Sequence, residues 1–93
     1  PKGEVIIDQG ALKAINNGKS LLPAGVKKIN GFFEKGDHIL VKDQNNIEHA
    51  RGLASFSSIE IEKIKGSHSR EIKNILGYSS REEVIHKDDL AKV

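Results

Sequence analysis

Five of the seven lysine and arginine residues between positions 13 and 51 are candidates for contact with a phosphate-bearing partner. They are Lys13, Lys19, Lys27, Lys28 and Arg51. Residues 1–30 carry five lysines against two acidic residues, whereas residues 31–93 carry ten basic against eleven acidic residues. Because cations that contact phosphates supply most sequence-independent binding to nucleic acids, this uneven charge is compatible with an RNA-binding groove. The alternative is that these cations are an ordinary solvated surface.

The segment Gly18-Lys19-Ser20 resembles the end of a nucleotide-binding P-loop. That motif needs a glycine five residues ahead of Gly18, and the chain has Lys13 there. Without the glycine-rich loop the backbone amides cannot converge on a phosphate. The segment is therefore predicted to end a helix and begin a turn.

Metal binding and catalysis lack a supporting pattern. The four histidines do not recur at metal-ligand spacing, and the chain has no cysteine. His86 with Asp88 or Asp89 could chelate only weakly, and a solvated strand end is favoured. Adjacent carboxylates, as in Glu82-Glu83, point in different directions and cannot flank one substrate atom. We predict no metal site and no catalytic residue in this chain.

The elements that would position the basic residues begin with a strand and a short helix. Glu4 to Ile7 reads as a strand, and Asp8 is placed to cap a helix that ends near Gly18. Pro23 and Gly25 indicate a turn, from which an extended segment runs from Val26 to Phe33. The lysines would thus lie on one helix, on the turn after it and on the next strand.

The rest of the chain is predicted to be strands and two short helices. Strands are expected at His38–Lys42 and Ile47–Phe56, with Gly52 at a bend or bulge. Ser57 and Glu60 form a capping-box pattern, and Ser67 or Ser69 is expected to cap a helix with Ile72, Ile75 and Leu76 buried. Closing strands are expected at Val84–His86 and Leu90–Val93. The four aromatic residues Phe32, Phe33, Phe56 and Tyr78 are predicted to be core, which leaves no platform for base stacking.

Length and composition indicate one small domain over residues 1–93. The chain is 37% hydrophobic and 30% charged and has no long apolar run, so we expect no membrane span and no membrane partner. The lack of cysteine fits a cytoplasmic location. Because the chain has no methionine, we expect a piece of a longer protein. The predicted fold class is α+β, a small and mostly antiparallel β-barrel with short flanking helices.

Six segments carry a resemblance to a known family. Four of them are similar to PUA domains, and two resemble the C-terminal PUA domain of bacterial glutamate 5-kinases more specifically. The four are Ile7–Ala11, Gly18–Val26, Gly31–Asp37 and Ala50–Leu53, and the two are Ile72–Tyr78 and Glu83–Leu90. One departure is Lys87, where that family is expected to have arginine. The resemblance covers nearly the whole chain and implies a PUA pseudo-barrel.

The resemblance also implies a role. Glutamate 5-kinases use ATP and Mg²⁺ to form L-glutamyl 5-phosphate in proline biosynthesis, and an N-terminal amino acid kinase domain, absent from this chain, performs the chemistry. The implied partners are that kinase domain and further copies of the whole enzyme. In PUA domains that bind RNA, the first helix, the following turn and the next strand form the contact surface. Carried onto this chain by position, that surface comprises Lys13, Lys19, Ser20, Gly25, Lys27 and Lys28.

Two functions therefore remain open at the level of sequence. The first is a non-catalytic module that governs assembly or feedback control by proline in the kinase. The second is an RNA-binding module. The lack of stacking aromatics favours the first, and the uneven charge favours the second.

Overall fold

The computed structural model describes residues 1–78 and 81–93. In these residues the chain forms five strands and three α-helices. In chain order they are β1 (Gly3–Ile7), α1 (Gln9–Asn16), β2 (Val26–Gly31), β3 (His38–Asp43), β4 (Glu48–Leu53), α2 (Ser58–Ile64), α3 (Ile72–Leu76) and β5 (Leu90–Lys92). Single 3₁₀ turns lie at Pro23–Gly25, Ser69–Glu71 and Lys87–Asp89.

The five strands form one sheet in the order β2-β1-β3-β4-β5. Three of the four pairings are antiparallel, and only β1 and β3 run parallel. The sheet and its short helices confirm the predicted α+β class.

The inward faces of the strands build the core. Side chains alternate between the two faces of a strand, so every second residue of a half-buried strand is apolar. Val5 and Ile7 of β1 and Ile39 and Val41 of β3 have no exposed surface. The helices and the C-terminal segment close this core from outside, with Ile15, Ile61, Ile64, Ile72, Val84 and Ile85 all buried.

Local capping chemistry sets the bounds of two helices as predicted. The Asp8 carboxylate accepts a hydrogen bond of 2.8 Å from the Ala11 amide and begins α1. Ser57 and Glu60 form a reciprocal capping box at the start of α2. The cap of the following segment was predicted wrongly, because the His68 side chain, and not Ser67 or Ser69, accepts from the Arg70 amide. A ring nitrogen of imidazole that carries no proton can accept a hydrogen bond from a backbone amide, just as a hydroxyl oxygen can.

The prediction that all four aromatic residues are core is wrong for two of them. Phe33 and Phe56 are buried, whereas Phe32 is 86% exposed and Tyr78 is 47% exposed. Strand β2 ends at Gly31, whose φ is +86°, and not at Phe33. Ile29 lies opposite the fully buried Val5, so strand alternation counted from Ile29 gives Phe33 the inward position and Phe32 the outward one. Tyr78 lies at the surface, where its hydroxyl donates to Glu60.

Gly52 does not mark the predicted bend or bulge. It pairs regularly with Ile39, and the irregularity of the β3–β4 ladder lies between Val41 and Lys42. A Cβ on Gly52 would instead lie 2.7 Å from both the Asp89 carbonyl oxygen and Ile85 Cγ2. The glycine is therefore needed for the close approach of the C-terminal segment to β4.

The prediction that Ile75 of α3 is buried is wrong, because its side chain is 39% exposed.

Asp43 stabilises the turn between β3 and β4. Its carboxylate lies 2.8 Å from His49 Nε2 and accepts hydrogen bonds from the Ile47 amide at 3.1 Å and the Asn45 amide at 2.8 Å. These hydrogen bonds lower the pKa of Asp43 below its ordinary value of 3.8; the bond from His49 has the largest effect and the bond from the Ile47 amide the next largest. Both bonds favour the charged carboxylate, because an ionised oxygen is the stronger acceptor.

The lowered pKa predicts a specific dependence of stability on pH. Since the folded-state pKa of Asp43 lies below the unfolded-state value, its contribution is present above about pH 4 and is lost as the pH falls through the folded-state pKa. Urea unfolding between pH 2.5 and 7 should therefore show a smaller loss of stability at acid pH for Asp43→Asn than for the wild-type chain. Identical slopes for the two proteins would contradict this account of the turn.

Candidate functional site

A groove of about 710 Å³ lies beside α1. Its walls are α1, the segment from Gly18 to Gly25, and the C-terminal segment around Lys87. The lining residues are Asp8, Gly10, Ala11, Ala14, Gly18, Lys19, Ser20, Leu22, Ala24, Gly25, Glu83, His86 and Lys87. Three of the residues predicted to bind RNA, Lys19, Ser20 and Gly25, are brought together here.

Small residues let the first two walls approach each other. A Cβ on Gly25 would lie 2.4 Å from the Ala11 Cβ and 3.4 Å from the Ala11 Cα, so no larger residue fits without movement of α1. The Asp8 amide donates a hydrogen bond of 3.0 Å to the Gly25 carbonyl at the same place. Gly25 is thus required for the close packing of the turn at Pro23–Gly25 against α1, and this packing shapes the groove.

The third wall is attached through backbone pairing and one side chain. The Leu21 amide donates to the Ile85 carbonyl at 3.0 Å, and the Val84 amide donates to the Leu21 carbonyl at 2.7 Å. The Ser20 hydroxyl accepts a hydrogen bond of 2.8 Å from the Lys87 amide. These bonds fix the C-terminal segment against the segment that follows α1. Ser20 therefore holds the groove together, besides lining it.

The groove carries cations from two distant parts of the chain. Lys19 follows α1, and Lys87 lies on the C-terminal segment, where His86 also lines the groove. The carboxylates of Asp8 and Glu83 also line the groove, so its charge is mixed. Sequence reasoning missed Lys87 and His86 as parts of this site. No local signal marks them, because only the pairing of Leu21 with Ile85 brings them there.

The remaining basic residues predicted to bind RNA lie elsewhere. In the described part of the chain the groove lining does not include Lys13, Lys27, Lys28 or Arg51. Lys13 is exposed in the last turn of α1, and Lys28 is paired opposite Ile6 in the sheet. Arg51 Nε donates a hydrogen bond of 2.6 Å to Glu48 Oε2, which raises the pKa of Arg51 and lowers that of Glu48. A contact of these four residues with RNA remains a prediction.

The segment Gly18-Lys19-Ser20 has its backbone committed to ending the helix. The Gly18 amide donates to the Ile15 carbonyl at 3.0 Å, and the Lys19 amide donates to the Ala14 carbonyl at 2.9 Å. Gly18 has a φ of +78°, as a residue just after a helix C-terminus requires. These amides are thus directed at helix carbonyls, and a phosphate cannot use them.

Metal-ligating side chains are dispersed over the residues described. Among residues 1–78 and 81–93, no three His, Asp or Glu side chains are grouped closely enough to hold a metal ion. His86 Nδ1 instead accepts a hydrogen bond of 3.1 Å from the Asp88 amide and begins the turn at Lys87–Asp89. In the same residues no helix is both long and apolar enough to span a membrane.

The fold is that of a PUA domain. The family model for the PUA domain matches residues 3–76, and the chain belongs to this family. A PUA domain of Aeropyrum pernix K1, solved as a tartrate complex, superimposes with a TM-score of 0.67 at 23% identity, over 91% of this chain and 41% of that one. A chain of an archaeal box H/ACA sRNP complex superimposes with a TM-score of 0.68 at 23% identity, over 98% of this chain and 24% of that one. At sequence identities this low, the two superpositions show a shared fold and nothing more specific.

The curated relatives give a narrower similarity. The chain is 66% identical over its whole length to the C-terminal part of a glutamate 5-kinase of Pelagibacter ubique, of which it covers 25%. It is 49% identical over 97% of its length to a glutamate 5-kinase of Nitrobacter hamburgensis, of which it covers 24%. The chain thus spans about a quarter of the length of the curated relatives that it matches.

Proposed function

We propose that this domain is the non-catalytic, C-terminal accessory module of a glutamate 5-kinase. The observation that carries the proposal is the 66% identity to the C-terminal part of such an enzyme, without a break in coverage of this chain. In this proposal the whole protein transfers phosphate from ATP to the side-chain carboxylate of L-glutamate, with Mg²⁺, in the first step of proline biosynthesis. It acts in the cytoplasm as an oligomer.

The site geometry supports a role outside the chemical step. A kinase needs phosphate-binding amides and carboxylates that hold Mg²⁺. The amides of Gly18 and Lys19 cap the C-terminal end of α1, and the Asp8 carboxylate caps its N-terminal end. ATP, Mg²⁺ and glutamate therefore belong to the rest of the polypeptide in this proposal, and this domain acts on assembly or on feedback control by proline.

Enzyme assays test the proposal directly. The full-length polypeptide should form glutamyl phosphate from ATP, Mg²⁺ and glutamate, and the 93-residue chain alone should not. The matched control is the full-length protein without Mg²⁺. A full-length protein that is folded and inactive with saturating glutamate and ATP would rule out the proposed enzyme.

RNA binding is a second candidate function, and the placement of two lysines favours it. Lys19 and Lys87 line one groove from two separate segments, which would allow both to contact one phosphate backbone. One of the superimposed chains belongs to an sRNP complex, but that likeness is one of fold.

Salt titration with structured RNA such as bulk tRNA tests this second function. Binding should weaken steeply with salt, and Lys19→Ala or Lys87→Ala should each reduce the log–log salt slope by about 0.7–0.9. Lys27→Ala reports whether the contact surface extends to β2, and Lys63→Ala on α2 is the matched control. Binding that is absent, insensitive to salt or equally weakened by Lys63→Ala would exclude an RNA-binding groove.

A further inference from the structure

An exposed apolar surface lies on the end of β2 and on α2. Phe32 is 86% exposed and Ile59 is 62% exposed, and both line a second groove of about 400 Å³. Ile29 adds apolar surface to the same groove. We call Ile29, Phe32 and Ile59 the β2–α2 patch. Single exposed apolar residues are common, but a phenylalanine and an isoleucine that share one groove form a contiguous surface suited to a partner.

The rim of the β2–α2 patch is polar and carries both signs of charge. Glu62 and Lys63 line the groove beside Ile59, and Glu62 also forms an ion pair with Lys65. An apolar centre with a polar rim is the usual composition of a protein–protein contact surface. Among the described residues that line this groove, one acidic and one basic side chain balance, so they give no excess of cations for a nucleic acid.

The start of the chain lies directly beside the patch. Gly3 pairs with Gly31, the residue before Phe32. A Cβ on Gly31 would lie 3.1 Å from the Lys2 carbonyl oxygen and 3.2 Å from the Gly3 Cα. In the Pelagibacter relative, about three quarters of the polypeptide lies outside the matched C-terminal part. In a protein of that organisation, the preceding polypeptide enters this domain within a few residues of Phe32.

We propose that the β2–α2 patch docks on the kinase part of the same polypeptide, the part that precedes Pro1. This inference rests on the proposed function. The position of the patch beside the entering chain is what selects the preceding domain, rather than a second copy, as its occupant.

The test uses the full-length protein with a specific protease site placed immediately ahead of Pro1. After cleavage, the two parts should elute together in size-exclusion chromatography. Phe32→Ser combined with Ile59→Ser should weaken their association at least tenfold. Ile47→Ser is the matched control, because Ile47 is 55% exposed but lies in the turn between β3 and β4. The unfolding midpoint of each variant shows that the domain remains folded.

Three outcomes would overturn the inference. They are separation of the cleaved wild-type parts, association that the double substitution leaves intact, and release of this domain as a dimer of two copies. Glutamate phosphorylation by the uncut protein is measured in parallel and reports on the proposed function alone. A protein whose parts dock but which forms no glutamyl phosphate would refute the proposed enzyme, whereas an active enzyme whose parts separate would refute the docking.

Discussion

Replacing Ile85 with alanine is expected to lower the free energy of unfolding by about 2–5 kcal/mol. Ile85 has no exposed surface, and its side chain packs at the position where Gly52 lacks a Cβ. Its backbone pairs with Leu21 and so holds the C-terminal wall of the groove. A loss of this size is a substantial part of the roughly 5–15 kcal/mol that usually stabilises a domain, so the variant should unfold at a clearly lower urea concentration than the wild type.

Urea denaturation of three variants measures this effect. Ile85→Val removes one methyl group and should cost about 0.5–1.5 kcal/mol. Ile47→Ala, at a position that is 55% exposed, should stay within about 0.5 kcal/mol of the wild type. Equal effects of Ile85→Ala and Ile47→Ala would contradict the role of the C-terminal segment in closing the core.

Replacing Gly25 with alanine should destabilise the chain by about 1–3 kcal/mol. The new Cβ would lie 2.4 Å from the Ala11 Cβ, so α1 must move away from the turn at Pro23–Gly25. Gly10→Ala is the matched control in the same groove, because its Cβ would lie 3.5 Å from Asp8 Oδ1, an ordinary contact. That control should be neutral or stabilise α1, since alanine favours a helix by up to about 1 kcal/mol over glycine.

A double-mutant cycle identifies the contact responsible. Ala11→Gly removes the Cβ that the new methyl group meets, so the double variant Ala11→Gly, Gly25→Ala should lose less stability than the sum of its single variants. The expected coupling lies between about 0.5 and 3 kcal/mol. Strict additivity in thermal or urea unfolding would show that Gly25 is required for another reason.

The sequence predicted those parts of the fold that depend on local chemistry. Asp8, Ser57 and Glu60 cap helices through bonds to residues three positions away, and such bonds are encoded in the adjacent sequence. The exposure of Phe32 could not be predicted in this way. It depends on the register of β2 with β1, which places Ile29 opposite the buried Val5 and has an irregularity between Ile6 and Ile7. That register is set by pairing between strands and cannot be read from the local sequence of β2.

The candidate site was predictable only where its residues are neighbours in the chain. Lys19, Ser20 and Gly25 belong to one segment, and they line the same groove. Lys87 is 67 positions from Ser20, and its place depends on long-range pairing that leaves no periodic signal in the sequence. Sequence charge alone also did not distinguish Lys19, which lines the groove, from Arg51, which pairs with Glu48 on its own strand, β4.

Deletion of this domain from the full-length protein tests the central claim most directly. The truncated protein, ended just ahead of Pro1, should still convert glutamate and ATP to glutamyl phosphate. Its inhibition by proline or its oligomeric state should differ from that of the full-length protein. Unchanged inhibition together with unchanged assembly would contradict a regulatory or architectural role. Complete loss of turnover in a folded truncated protein would contradict the claim that the domain is non-catalytic.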